Sequence, residues 1–134
     1  RAFKLVAGMT NSALLVNFGG DLHARGPRRD GGVWQVGVES PYQQNQMAGV
    51  VQLSNGAIAT SGDAKRFLLK NGVRYSHILN PHNGWPVEGS PRSATLCAPD
   101  CVQAGMLATR ALLAGADAEA FLKQQKDIRY WLVW

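Results

Sequence analysis

No apolar run in these 134 residues is long enough to cross a bilayer. The opening stretch, RAFKLVAGMTNSALLV, holds a short apolar segment but lacks the layout of a signal peptide. It does not begin with methionine, which reads as a processed product or a piece of a longer chain. The missing signal leaves the compartment open. Cysteine is scarce: Cys97 and Cys101 form a C-x-x-x-C pair with nothing further, a weak metal pattern. A bridge between them needs Cα atoms about 4.4–6.8 Å apart; the simpler reading is two small buried residues. Acidic residues are outnumbered, 9 against 14 basic, for a net charge of +5. The cations are scattered, with Arg25, Arg28 and Arg29 in one loop and Lys65, Arg66, Lys70 and Arg74 further on. Aromatic–basic interleaving and recognised nucleic-acid modules are both missing, so the charge reads as a solvated face and no nucleic-acid partner is expected. Repeats, low-complexity tracts and linkers are also missing. The chain is read as one domain, residues 1–134, with enough length for a real core.

What the chain has is glycine, 15 in all, and a clear order of elements. Residues 1–8 read as the tail of a helix. SALLVNF is a continuous apolar run of strand length, expected to be buried. GGDLHARGPRRDGG is turn-rich and holds a short strand. VWQVGVES alternates and reads as a strand, and PYQQNQMAG as a polar connection. VVQLSNGAIATSG places Asn-Gly between apolar segments, a strong hairpin signal. GDAKRFLLKNG suits a helical turn or a strand, and VRYSHIL after the KNG turn is strand-like. NPHNGWPVEGSP is a loop and RSATLCAP another strand. Asp100 is an N-cap for a helix, CVQAGMLATRALLAG, that ends at Gly115. Asp117 is expected to cap a second short helix, and IRYWLVW closes the chain as a strand. Strands come in runs and helices gather near the two ends. The fold class is therefore α+β, an antiparallel or mixed sheet covered by helices.

Four segments can carry chemistry. In NFGGD, residues 17–21, two glycines allow positive φ and close approach of a ligand, and freed N–H groups could hold a phosphate; an ordinary tight turn is the competing reading. In ATSGDAKRF, Ser61, Gly62 and Asp63 offer a hydroxyl, bare backbone and a carboxylate in succession, which equally suits a simple turn. In YSHILNPHNGWPV, His77 sits in a strand pattern beside a rigid turn and is well placed to touch a ligand, although a lone strand histidine is often structural. On the long helix, Gly105 and Thr109 share a face. Glycine inside a helix costs about 1 kcal/mol relative to alanine, so Gly105 needs a reason, and close packing against a neighbouring element would be one.

In this order the four blocks NFGGD, AIATSGD, YSHILNPHNGWPV and CVQAGMLATRALLAG resemble the ApbE family, the FAD:protein FMN transferases. The resemblance runs from about Asn11 to the end and covers the later part of the family's chain only. It implies an ApbE-like fold, held either as a single domain or as the C-terminal fragment of a longer protein. It implies Mg²⁺-dependent phosphoryl transfer: an acceptor threonine attacks the FMN-side phosphorus of FAD, AMP leaves, and FMN stays as a phosphoester. By the match, Asn17, Gly19, Gly20, Asp21, Ser61, Gly62, Asp63, His77 and Ile78 bind the FAD cofactor, His77 is the catalytic candidate, and Thr109 is a metal ligand. The implied partners are FAD and an acceptor flavoprotein subunit of a membrane redox complex, met at the periplasmic or extracytoplasmic face. A homodimer is compatible with this.

The departures from the family pattern matter as much. Gly105 stands where the metal-binding aspartate belongs, Asn80 replaces the aspartate before Pro81, Asn83 replaces a threonine, and Ala64 an aromatic residue. An upstream alanine-lysine-glycine segment is not in this sequence. The expectation is a flavin site retained and an FMN transfer impaired by the loss of the carboxylate and of the earlier half. The alternative is a non-catalytic flavin-binding or assembly module with the same fold.

Overall fold

The computed structural model describes residues 1–43, 45–64 and 66–134. Gln44 of the polar connection and Lys65 of the basic run lie outside the described residues. The chain begins with helix α1 (Ala2–Met9) and continues through strands β1 (Leu14–Phe18), β2 (Asp21–Arg25), β3 (Trp34–Glu39), β4 (Met47–Leu53), β5 (Gly56–Gly62), β6 (Phe67–Lys70), β7 (Val73–Ser76) and β8 (Ser93–Ala98). Helix α2 (Cys101–Leu113), a 3₁₀ turn, helix α3 (Ala118–Lys123) and strand β9 (Arg129–Val133) complete it. A five-stranded sheet runs in the order β1-β2-β5-β8-β9, with every pairing antiparallel. Two ribbons, β3–β4 and β6–β7, stand apart from it. The architecture is α+β, in its antiparallel form.

The core has two layers because β5 and β8 alternate. Ala94 and Leu96 face α2 and α3, meeting Leu107, Ala108, Ala111, Leu112 and Leu122. Ile58 and Cys97 face the β3–β4 ribbon, meeting Val36, Val51 and Leu53. The alternation of VWQVGV survives: Val36 is buried, Trp34 and Val38 are partly buried, and the residues between them are exposed. Helix α2 begins where its sequence says it should, with the Asp100 carboxylate accepting from the Gln103 N–H at 2.9 Å. Asp117 does not repeat this. It precedes α3 but its side chain makes no capping hydrogen bond, because the 3₁₀ turn Gly115–Asp117 already feeds into the helix.

Three other expectations are corrected. The apolar run ending at Phe18 is the edge strand β1, partly buried at Leu14–Val16 and exposed at Asn17 and Phe18, because nothing among the described residues pairs with its outer side. The Asn55-Gly56 hairpin does not form: β4 pairs with β3, whereas β5 pairs with β2 and β8. Gly56 is needed instead for contact with β8, since a Cβ there would lie 2.8 Å from the Ala98 carbonyl oxygen. The second Asn-Gly does make a hairpin: Asn71 and Gly72 both have positive φ and join β6 to β7. Of the cysteines, Cys97 is buried but Cys101 only half so; both are free, and the Cys101 thiol donates to the Leu22 carbonyl at 3.5 Å.

Helix α1 buries no residue fully and is held by two side chains of β2. Arg25 donates to the carbonyls of Ala7, Thr10 and Ser12, closing the helix's C-terminal end. Phe3 stacks on His23 with ring centroids 3.6 Å apart.

Two outcomes are expected. Leu96 is fully buried, so Leu96→Ala should lower stability by about 2–5 kcal/mol in urea unfolding. Burial holds the His23 imidazole below its ordinary 6.5, with Asp100 opposing. The unfolded chain therefore takes up the proton first, so stability is full above 6.5 and declines as pH falls below it. His23→Phe should flatten the dependence of the urea midpoint between about pH 7 and 5.

Candidate functional site

Strand β5 has unequal neighbours. It pairs with β8 along Ala57–Gly62 but with β2 only along Gly56–Ile58, so among the described residues no strand pairs with the other edge of residues 59–62. A cavity of about 770 Å³ opens there, within the size range of small-molecule sites. Its walls are the turn between β1 and β2, that edge of β5, strand β3, the residues after β7, and α2.

Each wall follows from local sequence. At the β1–β2 turn, Gly19 and Gly20 take φ of 66° and 102°, and the Asn17 side chain closes the turn by accepting from the Gly20 N–H at 3.1 Å. That N–H is thereby committed, and the rest of the turn faces the cavity. Ser61 points to the helix side of β5, where its hydroxyl lies 2.9 Å from that of Thr109. One strand position earlier, Thr60 points the other way and pairs with Thr95 at 2.8 Å. His77 lies one residue past β7, exposed, and not within the strand as its pattern suggested. Its Nδ1 is 2.9 Å from the Arg66 carbonyl oxygen. A carbonyl only accepts, so Nδ1 carries the proton, and in the neutral ring Nε2 keeps its lone pair. Ile78 follows and packs on the core beside α2.

The cavity collects Asn17, Gly19, Gly20, Asp21, Ser61, Gly62, His77, Ile78 and Thr109. Asp63 is not among its walls. Its carboxylate is buried and held by Arg74 and Arg92, each at 3.0 Å. Sequence reasoning missed several lining residues: Thr60, Ser93, Arg66, and Val36, Gly37 and Glu39 of β3. Ser93 is buried, and its hydroxyl has no hydrogen-bond partner among the described residues. The alternation of β3 reveals its inward face but not that this ribbon closes a cavity.

The pattern of the ApbE family matches residues 1–132. The chain belongs to the ApbE family. It is 35% identical to the FAD:protein FMN transferase of Vibrio cholerae over 104 residues, which is 77% of this chain and 31% of that one. It is 29% identical to the Haemophilus influenzae FAD:protein FMN transferase over 121 residues, 89% of this chain and 35% of that one. The ApbE protein of Thermotoga maritima superposes with a TM-score of 0.77 at 32% identity, over 90% of this chain and 39% of that one. The Pseudomonas stutzeri flavinyl transferase ApbE gives 0.78 at 27% identity, over 97% and 40%. The chain thus spans roughly a third of the length of these curated relatives and matches their later part.

Within this family fold, the helix face of Cys101, Gly105 and Thr109 lacks a carboxylate. Close packing does not require the glycine: a Cβ at Gly105 would meet only the Ala59 Cβ, at an ordinary 3.9 Å. Asp100 is occupied in capping α2. Burial pushes the Cys101 thiol up, and Asp21 and Asp100 add to this; its sulfur is a soft donor, unlike the oxygen ligands that suit Mg²⁺. Asn80 and Asn83 shape the loop: their side chains accept from the His82 and Trp85 N–H groups, each at 2.9 Å. Because Gly105 occupies an unobstructed helical site, Gly105→Ala should raise stability by about 1 kcal/mol, read as a shift of the urea midpoint.

Proposed function

We propose that this chain is the flavin-nucleotide-binding part of an FAD:protein FMN transferase, with its own metal-assisted transfer step impaired. The observation that carries the reading is the single cavity in which the β1–β2 turn, the Ser61–Thr109 hydroxyl pair and His77 converge. The turn and the hydroxyls offer hydrogen bonds to phosphate oxygens, while Ile58, Val36 and Ile78 supply apolar surface for a ring system. His77 presents Nε2 as a base. In this reading the acceptor threonine oxygen bonds to the FMN-side phosphorus, the bond to the AMP oxygen breaks, and Nε2 takes the threonine proton.

The residues around Thr109 do not fit Mg²⁺. Among the described residues, no group of three His, Cys, Asp or Glu is placed to hold a metal. The Thr109 hydroxyl is paired with Ser61, and Gly105 brings no carboxylate, whereas Mg²⁺ usually relies on one or two carboxylates with substrate phosphates. The same vacancy of charge favours the second reading, a flavin-binding unit that does not catalyse. In the transferase reading the acceptor is a flavoprotein, placed with its membrane redox complex at the periplasmic or extracytoplasmic face. No described helix is long and apolar enough to cross a membrane.

Fluorescence titration with FAD should show saturable binding that Mg²⁺ and chelator leave unchanged; absence of saturation removes the ligand from this reading. An FMN-transfer assay with a threonine-bearing acceptor and Mg²⁺ should improve about ten- to hundredfold in Gly105→Asp. His77→Gln should then cost that variant about 10²–10⁴-fold. An equal rate with and without the carboxylate would show that Gly105 does not limit transfer.

A further inference from the structure

The β6–β7 ribbon is an arm. Its strands pair with each other and with no other described strand, and Phe67, Leu68 and Leu69 are 43%, 64% and 63% exposed. This apolar surface faces solvent and not the body. The attachment is polar: Arg74, opposite Leu69 near the ribbon's turn, reaches back along the ribbon toward its root. The Arg74 guanidinium, in β7, lies 3.5 Å over the Phe67 ring centroid, so it is already held on the arm. From there its Nε reaches Asp63 Oδ2 at 3.0 Å, and its Nη2 donates to the Asp63 backbone carbonyl.

Asp63 carries that attachment to the sheet. Its N–H donates to the Arg92 carbonyl at 3.0 Å, and its Oδ2 also accepts from Arg92 Nη1 at 3.0 Å. The Arg92 N–H in turn donates to the Val133 carbonyl at 2.6 Å, at the end of β9. A single buried carboxylate thus bridges the arm to the ends of β5, β8 and β9. His77 hangs from the arm's root, its Nδ1 on Arg66, the residue that precedes β6. On its other side Ile78 is seated in the core.

Resting on the flavin-site reading above, we propose that Asp63 is a positioning residue: it touches no ligand, and its link to Arg74 fixes where His77 stands over the cavity. The matched family block places Asp63 beside Ser61 and Gly62, yet only those two line the cavity. Removing the carboxylate leaves two half-buried guanidinium groups facing each other without a counter-ion. The arm then swings, while Ile78 keeps the chain past His77 in place. His77 is displaced rather than detached.

The test compares Asp63→Asn with Arg74→Gln, which frees the arm but leaves the Asp63–Arg92 pair intact. Hydrogen exchange and the ring ¹⁵N signals of His77 are read without any flavin. Both variants should speed exchange in residues 67–76 by on the order of tenfold or more, with β5 and β8 still protected, and should shift the His77 signals. In the Gly105→Asp chain, both should lower kcat for FMN transfer by about 10²-fold with little change in KM for FAD. Unchanged arm exchange and His77 signals in a folded Arg74→Gln chain would overturn the proposal. So would a raised FAD KM with kcat kept, which would put Asp63 in contact with the ligand. If the signals and exchange respond as stated but no chain binds FAD, the positioning role stands and the flavin reading fails.

Discussion

The site depends on the unequal pairing of β5. Its hydrogen bonds to β8 run the length of the strand, while β2 stops alongside Ile58. Beyond that point both faces of the sheet contribute to one cavity. Ser61 approaches from the helix side and Thr60 from the ribbon side, though they are neighbours in sequence. Had β2 continued, its backbone would have filled the space that the β1–β2 turn now overlooks.

Small side chains make the other half of this arrangement. Ala57, Ala59 and Ala94 on the sheet, with Ala104, Ala108 and Ala111 on α2, are all buried. They let the helix lie close enough to β5 for two short hydroxyl side chains to meet across the gap. A larger residue at Ala59 or Ala108 would act on the site by separating Ser61 from Thr109, without touching any ligand.

Much of this was legible in the sequence, and the failures have a common cause. Periodicity located β3, α2 and β9, and Asp100 marked the start of α2. Local patterns cannot name a partner, however. The same Asn-Gly dipeptide is a hairpin at Asn71 and a crossing between layers at Asn55, because β4 and β5 are claimed by different neighbours. The run ending at Phe18 is apolar enough to be central yet lies at an edge. Nine residues singled out from the ordered motifs, from Asn17 to Thr109, line one cavity, alongside others that the motifs did not single out. Asp63 belongs to the same motif and faces away, an orientation set by Arg74 and Arg92 from distant parts of the chain. Ser93 and the lining of β3 carried no signal beyond strand propensity.

Gly105 sits at a position that would accept a side chain. The backbone of α2 is regular through it, and the neighbouring Ala59 would not obstruct a side chain. Codons for glycine and aspartate can differ by a single base. A lineage could therefore lose the carboxylate and recover it without rebuilding the helix, the sheet beneath it or the cavity. The scaffold of the site is spread over many residues, whereas a carboxylate on this face of α2 would rest on one.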